Sequence, residues 1–337
     1  MTQAQASTPH LLVAVAIAPG IGLGVSSVER TWSIATSDPI AAFAELDQEL
    51  APRWAWWGRE TSDQLVARDV TIDRCWDVFT VHRLIFGGWR TSVGHVWAAL
   101  NGLSTDSVPK MGQLGLLDIP VDDGDTSDPV QPDGHLRPDW TNDGWQTPDR
   151  LAVWAELILQ AAQRQEVLLA QLPDPSRARS TARSESAADF LCAEMAGRGL
   201  PINTMEAVRL IEAAAGRRPK NYDDEDEIRA VRDAAVLSHL DPPQEVNLRN
   251  PGEVKRMFER EGFDLPDTRA WRLEQLAESA PLAAAFLSWR KAERIATTYG
   301  YSWLDEHVGD GRLRGGWSSS DGAAGRMTAS ALSLIHI

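Results

Sequence analysis

Two cysteines, Cys75 and Cys192, in 337 residues are too few for a disulfide framework or a four-ligand zinc site, and they point to a reducing compartment. Long hydrophobic runs are also missing: nothing approaches the ~20 apolar residues of a membrane helix. The longest early run, Leu11–Ala18, is preceded by no Lys or Arg, so it lacks the charged start of a secretory signal and reads as a buried strand. Positive charge is scarce, with 33 basic against 48 acidic side chains and a net charge of −15. Nucleic-acid binding ordinarily wants clustered cations, so bulk charge argues against that partner. There is no phosphate-cradling GxxxxGK[ST] loop, and Gly20, Gly22 and Gly24 have the wrong spacing for GxGxxG. Seven histidines, among them His82, His95 and His239, are scattered without metal-ligand spacing. No Ser, His and Asp set has the context of a nucleophile elbow.

What is present is an ordinary globular composition, 43% apolar and 24% charged, at a length that fits about two domains. The acid is unevenly spread. Residues 118–149 hold nine acidic side chains against one arginine, whereas 251–337 hold 12 acidic and 11 basic ones. Leu11–Ala18 and Ile21–Ser27, joined by Pro19-Gly20, read as strands, with Thr31–Thr36 as a third. Asp38-Pro39 opens a helix with Ile40, Phe43, Leu46 and Leu50 on one face. Strands at Arg53–Trp57 and Val70–Asp73, with helices around Thr61–Arg68 and Val78–Phe86, continue the alternation of a three-layer α/β domain. Residues 104–149 are rich in turn formers. Within them Asp122-Asp123-Gly124-Asp125 lacks the later Glu and the Asp spacing of a calcium loop and reads as a solvated acidic loop. Thr147-Pro148 marks the start of a long helix to about Leu172, and Asp174–Ser184 reads as an exposed connection.

The chain beyond 186 reads as helical. Ser186 with Asp189 fits a capping box, Gly199 a helix end, and Asn203 with Glu206 the next start. Asp223–Glu227 places five acids at a further helix entry, where they complement the helix dipole. Leu282, Phe286, Trp289, Ile295, Tyr299 and Trp303 form one apolar stripe, with Arg290, Arg294 and Thr297 off it and free to face a ligand. Fourteen tryptophans are unusual. Trp54, Trp56, Trp57, Trp140 and Trp145 read as packing residues rather than base-stacking platforms.

Four segments then carry a resemblance. Asn247-Leu248-Arg249-Asn250-Pro251-Gly252-Glu253-Val254 resembles the thumb-tip motif of family A DNA polymerases, the DNA polymerase I type. Trp289-Arg290-Lys291-Ala292-Glu293-Arg294-Ile295-Ala296-Thr297-Thr298-Tyr299 is similar to that family's thumb-to-palm helix. Gly311-Arg312-Leu313 resembles the strand that follows it, and Ala324-Gly325-Arg326-Met327-Thr328-Ala329-Ser330 the segment leading into the palm. The order and spacing are also those of the family, in its actinobacterial-type bifunctional 3′–5′ exonuclease/DNA polymerase form.

The resemblance implies an α/β exonuclease-like (ribonuclease H-like) domain followed by a mainly α-helical polymerase thumb, with palm and fingers absent. Its implied layout is a degenerate exonuclease-like domain over 1–172 with the acidic insert 118–149, a linker over 173–185, the thumb and start of the palm over 186–331, and a non-native read-through tail at 332–337. Implied DNA contacts are Arg290, Arg294, Thr297, Arg326, Asn247 and Asn250, and no catalytic residue falls in the chain. Two Mg²⁺ ions and deoxynucleoside triphosphates belong to the full-length enzyme. Primer-template DNA is the expected partner, without a membrane, in the nucleoid-associated cytoplasm. The family's exonuclease holds two metals with Asp and Glu side chains. Leu11–Ala18 carries no acid, and only Glu60, Asp63 and Glu156 fall near the other ligand positions. Template-dependent DNA synthesis by the parent enzyme, with a fragment that binds but does not polymerise, is the leading expectation. A non-enzymatic duplex-binding scaffold and a metal-dependent exonuclease using Glu60, Asp63 and Glu156 are the alternatives.

Overall fold

The structure, a computed structural model, describes residues 11–88, 92–110, 127–320 and 326–330. The Asp122–Asp125 run, Gly325 and the 332–337 tail lie outside them. The chain divides into two compact units, one of residues 1–199 with 315–337 and one of 200–314.

Unit 1 is built on a five-stranded sheet in the order β3-β2-β1-β4-β5, with β1 Leu12–Ala18, β2 Gly22–Ser26, β3 Thr31–Ala35, β4 Arg53–Trp56 and β5 Cys75–Asp77. β1, β2 and β3 pair antiparallel, while β4 and β5 add on parallel to β1. Both faces of β1 are buried, which is why it reads as a continuous apolar run. Ala14 and Ala16 join one core cluster, and Val13, Val15 and Ile17 the other. The first cluster is completed by α3 Val78–Phe86, α4 Val93–Leu100 and α5 Leu151–Ala170. The second is covered by α1 Pro39–Leu50, α2 Arg59–Val66 and α6 Pro175–Arg198. Gly24 is required where α5 meets the sheet, because a Cβ there would stand 1.9 Å from the Leu151 carbonyl oxygen.

Several expectations are corrected here. The strand expected at Val70–Asp73 is β5, at Cys75–Asp77. The connection expected at 173–185 is instead the first half of α6: Asp174 accepts from Arg177 N at 3.0 Å as N-cap, and Pro175 occupies the first turn. Ser186 and Asp189 therefore lie mid-helix. Ser186 Oγ accepts the Asp77 amide at 3.0 Å and donates to the Ala182 carbonyl at 2.8 Å. The helix expected from Thr147-Pro148 begins at Leu151. In the described half of the acidic insert Leu136 and Trp140 are buried and Trp97 Nε1 donates to the Gly134 carbonyl at 3.1 Å, while the solvated loop expected at Asp122–Asp125 lies outside the described residues.

Unit 2 is mainly helical: α7 Thr204–Ala215, α8 Tyr222–Leu237, α9 Pro251–Arg260, α10 Ala270–Ala277, α11 Pro281–Thr298 and α12 Tyr301–His307. Between them run β6 Leu200–Pro201, β7 Val308–Gly309 and β8 Arg312–Leu313, a small antiparallel sheet in the order β6-β8-β7. Val254, Phe258, Leu273, Phe286 and Trp289 form its main core. The stripe expected to run unbroken over 282–304 is split at Gly300, where a Cβ would stand 2.4 Å from the Ala296 carbonyl oxygen. The chain then returns to unit 1, where β9 Gly316–Ser318 pairs with β10 Thr328–Ser330.

Candidate nucleic-acid interface

A concave surface of about 440 Å³ in unit 2 gathers Arg290, Arg294 and Thr297 with Arg249, Pro251 and Thr268, over a floor that includes Phe286 and Trp289. Its shape follows from how α9 starts. Asn250 Oδ1 accepts the amides of Gly252 (2.9 Å) and Glu253 (3.4 Å), and Glu253 Oε2 accepts the Asn247 amide at 2.8 Å. Asn250 Nδ2 donates back to Glu253 Oε1 at 3.2 Å, and Asn247 Oδ1 accepts the Arg249 amide at 3.0 Å. Both asparagines of the motif thus shape the helix entry.

Arg249 is clamped between two helices. It donates to Glu293 of α11 from Nε (2.6 Å) and Nη2 (3.0 Å), and to Asp233 of α8 from Nη1 at 2.7 Å. Trp289 Nε1 donates to Asp233 Oδ1 at 2.8 Å, and Arg232 Nη2 reaches Glu293 at 3.2 Å. Burial disfavours the Arg249 charge, but its bonds to Asp233 and Glu293 outweigh this and hold its pKa above the usual arginine value. Sequence reasoning did not single out this cluster. Arg249 lay within the quoted motif, but its partners are 16 and 44 residues away.

The two arginines expected to act as a pair differ. Arg290 is half-buried, donates from Nη1 to the Thr268 carbonyl at 2.5 Å and lies over the Phe286 ring at 5.0 Å. Burial lowers its pKa. Arg294, one turn on, is exposed and forms no ion pair among the described residues. Thr297 is exposed, and its hydroxyl donates to the Glu293 carbonyl at 2.9 Å. Arg326 lies in unit 1, just before β10, and is exposed.

One end of the unit 1 sheet is filled with aromatic rings. Parallel register sets Ala14 beside Ala55, and Ala14, Ala16 and Trp57 share a core cluster with Trp140 and Trp154. Trp154 lies 5.9 Å from Trp57, 6.2 Å from Trp140 and 5.6 Å from Trp145, stacked on the last within 10°. Glu60 and Asp63 are exposed on α2, Asp63 bound to Arg59 at 2.7 Å, and Glu156 is exposed on α5. Among the described residues no three His, Cys, Asp or Glu side chains come together as a metal site, so these residues do not fit the two-metal set. A buried acid does remain nearby. Asp77 caps α3 through Thr80 N at 2.7 Å and accepts from Trp56 Nε1 at 3.2 Å. Burial, aided by the charge of Asp189, pushes its pKa up to about 7.

The chain is similar in structure to the POL domain of Pol1 from M. smegmatis, solved in complex with DNA primer-template and dNTP. The TM-score is 0.57 at 18% sequence identity, over 96% of this chain and 51% of that one. The chain therefore spans about half the length of that domain. No family model and no curated protein matches the sequence. Among the described residues no helix is long and apolar enough to cross a membrane.

Proposed function

We propose that the chain carries the exonuclease-like and thumb portions of a family A, DNA polymerase I-type enzyme, and that it binds primer-template DNA through unit 2. The observation that carries this reading is the concave surface on α11, which brings three of the six motif-derived DNA contacts together beside the α9 entry. A thumb holds duplex by its phosphates, and that task needs guanidinium and hydroxyl donors on a rigid frame rather than base-reading side chains. Arg294 is the donor left uncommitted among the described residues, and Thr297 lies about one turn from it on the same helix. Arg249, held by Asp233 and Glu293, fixes the frame instead of meeting the nucleic acid. Arg326, in the segment resembling the palm entry, is assigned to the primer strand on the resemblance alone.

In unit 1 the strand order, antiparallel β3-β2-β1 extended by parallel β4 and β5, supports the ribonuclease H-like reading. The tryptophan-filled end supports reading it as degenerate. The two Mg²⁺ ions and the deoxynucleoside triphosphates are assigned to catalytic parts of the enzyme other than these residues, and the protein is placed with the nucleoid in the cytoplasm. The test is binding of a fluorescent primer-template duplex by anisotropy. Arg294→Ala should weaken binding about three- to tenfold at 50 mM salt and reduce the salt slope by about one. Unchanged affinity and slope would remove unit 2 as the interface. Mg²⁺-dependent primer extension by the purified chain would overturn the division of labour.

A further inference from the structure

Unit 1 gathers arginines in a place that the polymerase reading does not use. Arg53 begins β4 and Arg74 immediately precedes β5. The parallel register that sets Trp54 beside Cys75 brings these two arginines next to each other, with Trp54 N donating to the Arg74 carbonyl at 3.2 Å. Arg53 Nη1 donates to the Cys75 carbonyl at 3.2 Å, and Arg74 Nη1 reaches the Ala51 carbonyl at 3.5 Å. From α6, Arg179 and Arg183 lie one turn apart on one face. Arg179 pairs with Glu166 of α5 at 2.7 Å. Arg183 is exposed and forms no ion pair, and the neighbouring acid Asp73 pairs with nothing among the described residues. Burial, then the charges of Arg183 and Arg74, hold the Arg53 pKa below the usual arginine value, with Glu166 opposing them.

Four guanidiniums thus share one carboxylate in a chain whose net charge is −15. Several arginines elsewhere are matched one to one with acids, as in Arg68–Asp38, Arg209–Glu206 and Arg218–Asp305. Like charges on neighbouring strands, and like charges one helical turn apart, both destabilise. The fold therefore holds a repulsion that a bound multivalent anion would relieve. We propose that Arg53, Arg74, Arg179 and Arg183 form a phosphate-binding site that takes the phosphodiester backbone of a nucleic-acid strand. Guanidinium forks match phosphate oxygens in pairs, and donors converging from two strands and a helix can grip one such group from several sides. The site lies at the N-terminal edge of β4 and β5, the opposite end of those strands from Trp57 and Asp77. It is independent of the reading of unit 2.

A free phosphate or pyrophosphate has the same chemistry, and the experiment separates the two sources. The full chain is titrated against a labelled 20-nucleotide single strand by anisotropy from 50 to 300 mM salt, and against pyrophosphate by thermal shift. Arg74→Gln/Arg183→Gln keeps the apolar stems. It should weaken oligonucleotide binding about five- to tenfold at 50 mM salt and lower the salt slope by about two. Arg183→Glu, at an exposed position the fold tolerates, should weaken binding at least as far and carries the test if the double variant unfolds. Arg294→Ala should contribute its own factor, multiplying with the others. If Arg294→Ala is silent while the Gln pair matters, the reading of unit 2 fails and this one stands. Loss of pyrophosphate stabilisation in the Gln pair without loss of oligonucleotide binding overturns the nucleic-acid assignment in favour of a small phosphate ligand. Wild-type binding of both ligands by both variants, with a raised melting temperature at low salt, overturns the site altogether.

Discussion

The tryptophan-filled end of unit 1 and the concave surface of unit 2 are stabilised in opposite ways, one by apolar rings and the other by paired charges. In unit 1 Ala14 and Ala16 share an apolar cluster with Trp57, Trp140 and Trp154, and Trp145 stacks on Trp154. In unit 2 the cavity is lined by four charged residues, Arg249, Arg290, Glu293 and Arg294, of which Arg249 and Glu293 are committed to each other and to Asp233 and Arg232. A surface lined with alanine leaves room beside the backbone, and filling that room with aromatic rings is stabilising. A phosphate-binding groove has no such apolar replacement. Its cations need carboxylate partners to keep their geometry while the groove is empty, and those partners leave few donors for a ligand.

The sharpest way to break this comparison is Trp154→Ala. If the rings are true core, unit 1 should lose about 3–5 kcal/mol in chemical denaturation. A loss below about 1 kcal/mol would mean that the cluster is loosely packed. Next is Arg249→Ala, which strands Asp233 and Glu293 beside Trp289. With Arg249 about a third exposed, the cost should be about 2–3 kcal/mol, read as a drop in thermal midpoint. An effect within experimental error would mean that the frame of unit 2 does not depend on the clamp.

Asp77 tests the acid that unit 1 kept. Its folded pKa, about 7, is above the unfolded value near 3.8, so the folded state binds the extra proton between them. Its contribution is fully present below about pH 3.8 and is lost as pH rises through about 7. The unfolding free energy should therefore decline across that window by on the order of 4 kcal/mol. Asp77→Asn should flatten this part of the profile whatever its baseline, and an unchanged slope would assign the decline to other groups. The smallest effect separates the two arginines of α11. Arg290→Ala should cost about 1 kcal/mol of stability through its bond to the Thr268 carbonyl, and change DNA affinity less than Arg294→Ala does.

Much of this was legible in the sequence, for physical reasons. β1 announced itself because both of its faces are buried, and the starts of α1 and α7 because Asp38 and Asn203 are side-chain caps. The tryptophans were legible as packing residues, since indoles of this size are stable chiefly when covered. The first half of α6 was misread because Ser and Arg look like a loop, although Asp174-Pro175 is a helix start and the Ala and Arg residues after it favour helix. The commitments of Arg290 and Arg249 were not legible at all. Their partners are a backbone carbonyl 22 residues away and carboxylates on other helices, and no local pattern encodes such distances. The return of residues 315–330 to unit 1 was hidden for the same reason.

That return has a consequence for how the chain is made. Asp189 on α6 waits for the hydroxyl of Ser319, its bond at 2.9 Å spanning 130 residues. At about 5–20 residues added per second, the ribosome leaves α6 without that partner for on the order of ten seconds. Throughout this interval a buried-to-be carboxylate and the α6 surface that meets β9 stand open beside an already collapsing sheet. Unit 1, begun first, is completed last, and its nascent form is the stage most exposed to chaperones and proteases.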